Sequence, residues 1–173
     1  MSFHVQLAKY TIEEYIKTGK IIDIPENLPP EFYEKNHGVF VSLHKNKELR
    51  GCIGTYLPAH KNLAEEIIMN AVSACSRDHR FVPISVDELA DLSVEISLLS
   101  ESEKISDMSE LDPKKYGVIV KCPDGRCGLL LPNLEGIDTV EQQLAIACQK
   151  GGISPETEKS IEIYKFSVEK YSQ

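Results

Sequence analysis

The chain has 173 residues, 42% of them hydrophobic and 27% charged, with 19 Lys and Arg against 27 Asp and Glu for a net charge of −8. Such a chain folds as one domain, or as a main body with a small subdomain, and buries about 70% of its extended surface without disulfide or metal staples. Its negative balance disfavours nucleic acid and anionic lipid, no apolar run reaches the ~18 residues of a membrane span, and Met1–Gln6 shows no signal-peptide pattern.

Residues 3–18 read as a helix. Val5, Ala8, Ile12, Tyr15 and Ile16 approximate one face, and Gly19 suits the residue after its end. Residues 20–37 carry Pro25, Pro29 and Pro30 and read as a partly extended connection. Gly38 to His44 and Leu49 to Gly54 form a hairpin around the polar turn 45–48. Gly51 and Gly54 in the return strand predict a bulge or a close backbone approach. Asn62 with Glu65 predicts a capping box at the start of a helix carrying Leu63, Ile67, Ala71, Ala74 and Cys75. The polar loop Ser76 to Pro83 follows, and Leu92 to Leu98 alternates as a strand.

Tyr116–Cys122 and Arg126–Leu131 read as a second hairpin around Asp124-Gly125. A two-residue turn there puts Val118, Val120, Cys122, Cys127, Leu129 and Leu131 on one face and sets Cys122 opposite Cys127. Thr139 and Gln142 predict a capping box, with a helix to about Lys150 and Gly151 just beyond it. Residues 160–168 read as a last strand. No internal repeat is visible. Mixed strands and helices with hairpin connections indicate an α+β fold built on a mainly antiparallel sheet with flanking helices.

The five cysteines are Cys52, Cys75, Cys122, Cys127 and Cys148, with no C-x-x-C. An odd set of this kind predicts free thiols in a reducing cytoplasm. Cys75 and Cys148 fall on apolar helical faces, and Cys122 and Cys127 read as core thiols under a turn, a redox pair being the sharper alternative. The five histidines form no metal-binding spacing, and no P-loop, dinucleotide-binding fingerprint or serine-hydrolase elbow occurs. Neither a metal nor a cofactor is expected.

Two segments carry chemistry. Arg50-Gly51-Cys52-Ile53-Gly54 places a thiol between glycines and beside a guanidinium, a setting for a nucleophile or for an anion held by Arg50 and backbone amides. A small buried residue in a tightly packed, bulged strand is the plainer reading of Cys52, since free cysteines are commonly buried. Arg77-Asp78-His79-Arg80 offers a base, an acid and two cations; Arg80 suits an anion, while Asp78 and the arginines also suit a solvated loop at a helix end.

Leu49-Arg50-Gly51-Cys52-Ile53-Gly54 is the LRGCIG string that marks the AMMECR-one domain family, and the chain resembles that family from about residue 3 to 171. Asp78, Arg80, Phe81 and Pro83 fit its D-x-R-F-x-P segment. Val94 to Leu99 fits its V-x-I-S-L-L strand, and Leu131-Pro132 and Tyr164-Lys165-Phe166 fit later elements. Gly136-Ile137-Asp138 replaces the frequent Gly-Trp-Asp, and Arg126 to Leu130 lacks the usual hydroxyl-bearing pattern. The standalone size is similar to the prokaryotic branch, the AmmeMemoRadiSam system protein A group.

The resemblance implies one domain over 1–173 with a small subdomain inserted in it, and a cavity between the larger and smaller parts. It implies Memo-like and radical-SAM proteins as partners. The expected function is an enzyme, or enzyme component, acting on a small anionic substrate or a modified protein. Cys52 is then the catalytic candidate and Arg50, Gly51, Gly54, Asp78 and Arg80 the substrate-binding ones. A non-catalytic scaffold for the same partners is the competing expectation, and a nucleic-acid-linked regulator a third.

Overall fold

The computed structural model describes residues 1–158 and 160–173. The chain forms two compact units, Met1–Leu99 with Glu169–Gln173, and Ser100–Val168. Among the described residues, no helix is long and apolar enough to cross a membrane.

The first unit opens with α1, Phe3–Thr18. Ser2 caps it by accepting from the Val5 amide, and Gly19 ends it at φ +73° while donating to the Tyr15 carbonyl. Val5, Ala8 and Ile12 bury the predicted stripe. The proline-rich connection holds one helical turn, α2, Glu31–Glu34, whose Phe32 is fully buried.

β1, Gly38–Lys45, and β2, Glu48–Thr55, form the expected hairpin. Asn46 and Lys47 make its turn at φ +53° and +69°, the left-handed pair that a two-residue hairpin loop needs. The pairing steps from Leu43↔Gly51 to His44↔Leu49, so Arg50 is the extra residue of a β-bulge. Gly51 is dictated by a close approach, because a Cβ there would run into the Ala74 carbonyl oxygen.

That carbonyl belongs to α3, Leu63–Ser76. Asn62 caps α3 through the Glu65 amide, 3.0 Å. The expected return bond differs: Glu65 reaches one residue further, to the Lys61 amide, 3.0 Å. A 3₁₀ turn over Val86–Asp91, capped reciprocally by Ser85 and Glu88, leads into β3, Leu92–Leu99. With β8, Val168–Ser172, the sheet order is β2-β1-β3-β8. Val39, Val41, Leu43, Val94 and Ile96 share a core with α1 and α3.

The second unit contains β4, Glu103–Lys104; β5, Gly117–Lys121; β6, Cys127–Leu130; α4, Val140–Lys150; and β7, Glu162–Phe166. Its sheet order is β4-β7-β5-β6. Thr139 and Gln142 form the predicted capping box on α4.

Three further features of the fold depart from the expectations above. The β5–β6 loop has three residues, Pro123 to Gly125: Cys122 donates to the Arg126 carbonyl and Gly125 to that of Cys122. Pro123 suits the first corner of an ordinary turn, and Gly125 at φ +92° completes it. Cys127 therefore pairs with Lys121, not with Cys122, and lies with Leu129 on the opposite face from Val118, Val120 and Cys122. Second, the left-handed residue after α4 is Gly152, φ +64°, while Gly151 stays right-handed. Third, the expected last strand is broken at Ser167 into β7 and β8, which belong to different sheets.

The structure also holds a repeat that the sequence hides. Each unit runs hairpin, helix, strand, and in each the third strand pairs antiparallel with the first strand of the hairpin. Gly128 matches Gly51, since a Cβ on it would strike the Ala147 carbonyl of α4. The Ile84 amide donates to Cys75 O and the Ile153 amide to Cys148 O, both at 2.9 Å.

Candidate functional site

The hexapeptide lies on β2, an edge strand of its sheet. Alternate N–H and C=O groups of an edge strand face outward and must find partners elsewhere. Cys52 is such a residue. Its N–H donates to Asp78 Oδ2 at 2.9 Å, and its C=O accepts from Arg80 Nη2 at 3.1 Å. Two side chains thus supply what a neighbouring strand would. Alternation along the ladder points the Gly54 backbone groups the same way. Gly51 instead pairs with Leu43 inside the sheet.

Asp78 and Arg80 also bind each other. Arg80 Nε meets Oδ1 at 2.9 Å, Nη2 meets Oδ2 at 2.7 Å, and the Arg80 amide adds a bond to Oδ1. The Asp78 side chain is 2% exposed and that of Arg80 48%. The Arg80 guanidinium, with the Cys52 amide behind it, holds the Asp78 carboxyl far below the usual carboxylate range.

Arg50, the bulge residue, is committed as firmly. Its Nε and Nη2 grip Glu88 at 3.0 and 2.9 Å, and Nη1 donates to the Val82 carbonyl at 2.9 Å. Lys45 reaches the same carboxylate at 3.1 Å. The Arg50 guanidinium, with the Ser85 amide and Lys45, lowers the Glu88 carboxyl to about 2. The Arg50 side chain is 14% exposed. Phe81 packs near both guanidiniums, at 6.0 Å from Arg50 and 5.5 Å from Arg80.

Cys52 is partly exposed, and its thiol lies 3.3 Å from the hydroxyl of Ser42 on β1, its register partner. Cys75, Cys122 and Cys148 are buried, and burial pushes their thiols up, Cys75 to about 11. Gly54 leaves room for the Phe40 ring, which a Cβ would strike. His79 and Arg77 are exposed.

The fold therefore gathers Arg50, Cys52, Asp78 and Arg80, and it adds residues that sequence reasoning missed. Glu88 and Ser42 are the important ones. Glu88 had a readable signal, because Ser85-Val86-Asp87-Glu88 is a capping-box pattern. Ser42 had none, since its place depends on hairpin register.

The AMMECR1 family matches residues 5–171. The chain belongs to the AMMECR1 family. It is 53% identical to a Thermotoga maritima protein over 169 residues, 97% of this chain and 96% of that one. It is 46% identical to a Clostridium acetobutylicum protein over 172 residues, 98% of this chain and 36% of that longer protein. Among solved structures, an uncharacterised Pyrococcus horikoshii protein superposes with a TM-score of 0.90 at 35% identity, covering 99% of this chain and 90% of that one. The superposition on the solved structure supports the α+β fold.

Proposed function

We propose that this AMMECR1 protein is an enzyme, or a component of one, whose reacting group is the Cys52 thiol. Its partners are Memo-like and radical-SAM proteins, as the family resemblance implies, and its substrate is a small anion or a modified protein. The setting of Cys52 carries the reading: a partly exposed cysteine on a strand whose backbone is clamped at that residue by Asp78 and Arg80. A reacting group gains most from a support that does not move. Arg80, half exposed although paired with Asp78, offers a cation to a substrate anion, with the outward Gly54 amide two residues along β2 from Cys52. Arg50 and Asp78 serve by support, as Glu88 and the Cys52 amide occupy them.

Cys52→Ser tests this with the Memo-like and radical-SAM proteins present. A folded, inactive variant is expected, and full activity removes the covalent role. Iodoacetamide gives a quicker answer: fast labelling of Cys52 in the native protein is expected, whereas protection until unfolding marks a structural thiol.

A non-catalytic scaffold is the second reading. Val82, 75% exposed, and Val86, 54% exposed, favour it as apolar contacts beside Phe81 and Arg50. On that reading Val82→Asp weakens a partner complex and Cys52→Ser leaves it intact. Nucleic-acid binding that persists at about 0.2 M salt would revive the third reading.

A further inference from the structure

We propose that Ser42 is a positioning residue for the Cys52 thiol, donating its hydroxyl hydrogen to the sulfur when the thiol is deprotonated. This role rests on the reading of Cys52 as the reacting group and deepens it.

Ser42 and Cys52 face each other in register across β1 and β2. The outward bonds of Cys52 to Asp78 and Arg80 make this a non-hydrogen-bonded pair, the kind in which opposed side chains come closest. Oγ and Sγ are 3.3 Å apart. Ser42 is only 9% exposed, and among the described residues its hydroxyl has no other hydrogen-bond partner. A buried hydroxyl seeks a partner, and packing alone would be met as well by alanine.

The neighbours leave the sulfur as the acceptor. On β3 the residue beside Ser42 is Glu95, whose carboxylate is held by Lys170 of β8 at 3.2 Å. Two residues along β1, on the same face, lies His44. From the loop after α3 come Asp78 and Arg80, which take up the Cys52 backbone. A thiolate accepts hydrogen bonds and donates none, so it draws the Ser42 hydrogen, whereas a neutral thiol donates equally well to the oxygen. Ser42 therefore favours the attacking form of the sulfur and fixes its direction.

The test is the rate of iodoacetamide labelling at Cys52, followed by mass spectrometry across pH 6 to 10 in the whole chain. Ser42→Ala is expected to label about tenfold more slowly near neutral pH, the worth of one hydrogen bond to a charged group. Its rate–pH profile should move to higher pH. Ser42→Thr should stay near wild type, while Ser42→Val, isosteric with the threonine variant, behaves like alanine; this second pair holds the comparison should Ser42→Ala fold poorly. A wild-type rate and profile in Ser42→Ala or Ser42→Val overturns the inference and leaves Cys52 reactive. Protection of Cys52 in the wild type overturns both readings.

Discussion

The two units carry the same hairpin–helix–strand pattern and differ in the segment just after the helix. In both, a glycine of the return strand is pressed against an alanine carbonyl, the next helix residue is a buried cysteine, and an isoleucine amide bonds back to that cysteine. Residues 76–83 span this return in the first unit, and 149–152 suffice in the second. The longer segment contains Asp78, Arg80, Phe81 and Val82, which hold Cys52 and Arg50 in place. A shared scaffold thus becomes a candidate site through a few extra residues at a helix exit. Loops carry function on a rigid frame for this reason: they change without disturbing the core.

The hardest test of the equivalence is steric. Gly51→Ala and Gly128→Ala should each be among the most destabilising single changes in the chain, by about 3 kcal/mol or more, because backbone has to move to admit the methyl. Urea unfolding measures this, and a benign Gly128→Ala would break the parallel between the units.

Asp78→Ala comes next. It strands the Cys52 amide and frees a guanidinium, a loss of about 2–4 kcal/mol by chemical denaturation. The second unit offers a contrasting arginine, Arg126, which binds Asp124 and Glu158 at the surface. Arg126→Ala should leave the melting temperature almost unmoved. An equal loss in both variants would erase the distinction between a clamp and a surface pair.

The smallest effect concerns acid. The Asp78 and Glu88 carboxyls are lowered in the fold, by Arg80 and Arg50 respectively. The unfolded chain then takes up protons first as pH falls, so stability that is full above about pH 4.5 drains away below it. His4 acts earlier. It is buried between Phe32 and Tyr171, and burial lowers it, partly offset by Glu31 and Glu169. Its contribution is full above about pH 6.5 and is lost as pH falls through the lowered folded value. His4→Phe should flatten the slope of stability that begins just below about pH 6.5 and leave the steeper loss below pH 4.5. An unchanged profile in that upper window would exclude His4 as its source.

How much was legible in advance depends on range. Caps at Asn62 and Thr139, the left-handed stop at Gly19 and the first hairpin turn are local, decided by residues a few positions apart. In the second hairpin Pro123 takes the first corner of a loop one residue longer than Asp124-Gly125 alone predicts, and one step of register is enough to part Cys122 from Cys127. At the site, the hexapeptide and Asp78-x-Arg80 stood out in the sequence, yet their partners did not. Glu88 lies 38 positions from Arg50, and Ser42 reaches Cys52 only through β-pairing.

By itself, then, the sequence determined the α+β class, the helix ends, the first hairpin and the membership signalled by LRGCIG. The first three depend on short-range sterics, capping and periodicity, and the last on resemblance to a known family. Only the tertiary structure decided that Arg50 pairs with Glu88 and Asp78 with Arg80, that Cys52 has Ser42 beside it, and that one pattern occurs twice. Those outcomes depend on which distant groups meet at an edge strand whose outward backbone must be satisfied, and no local pattern encodes that.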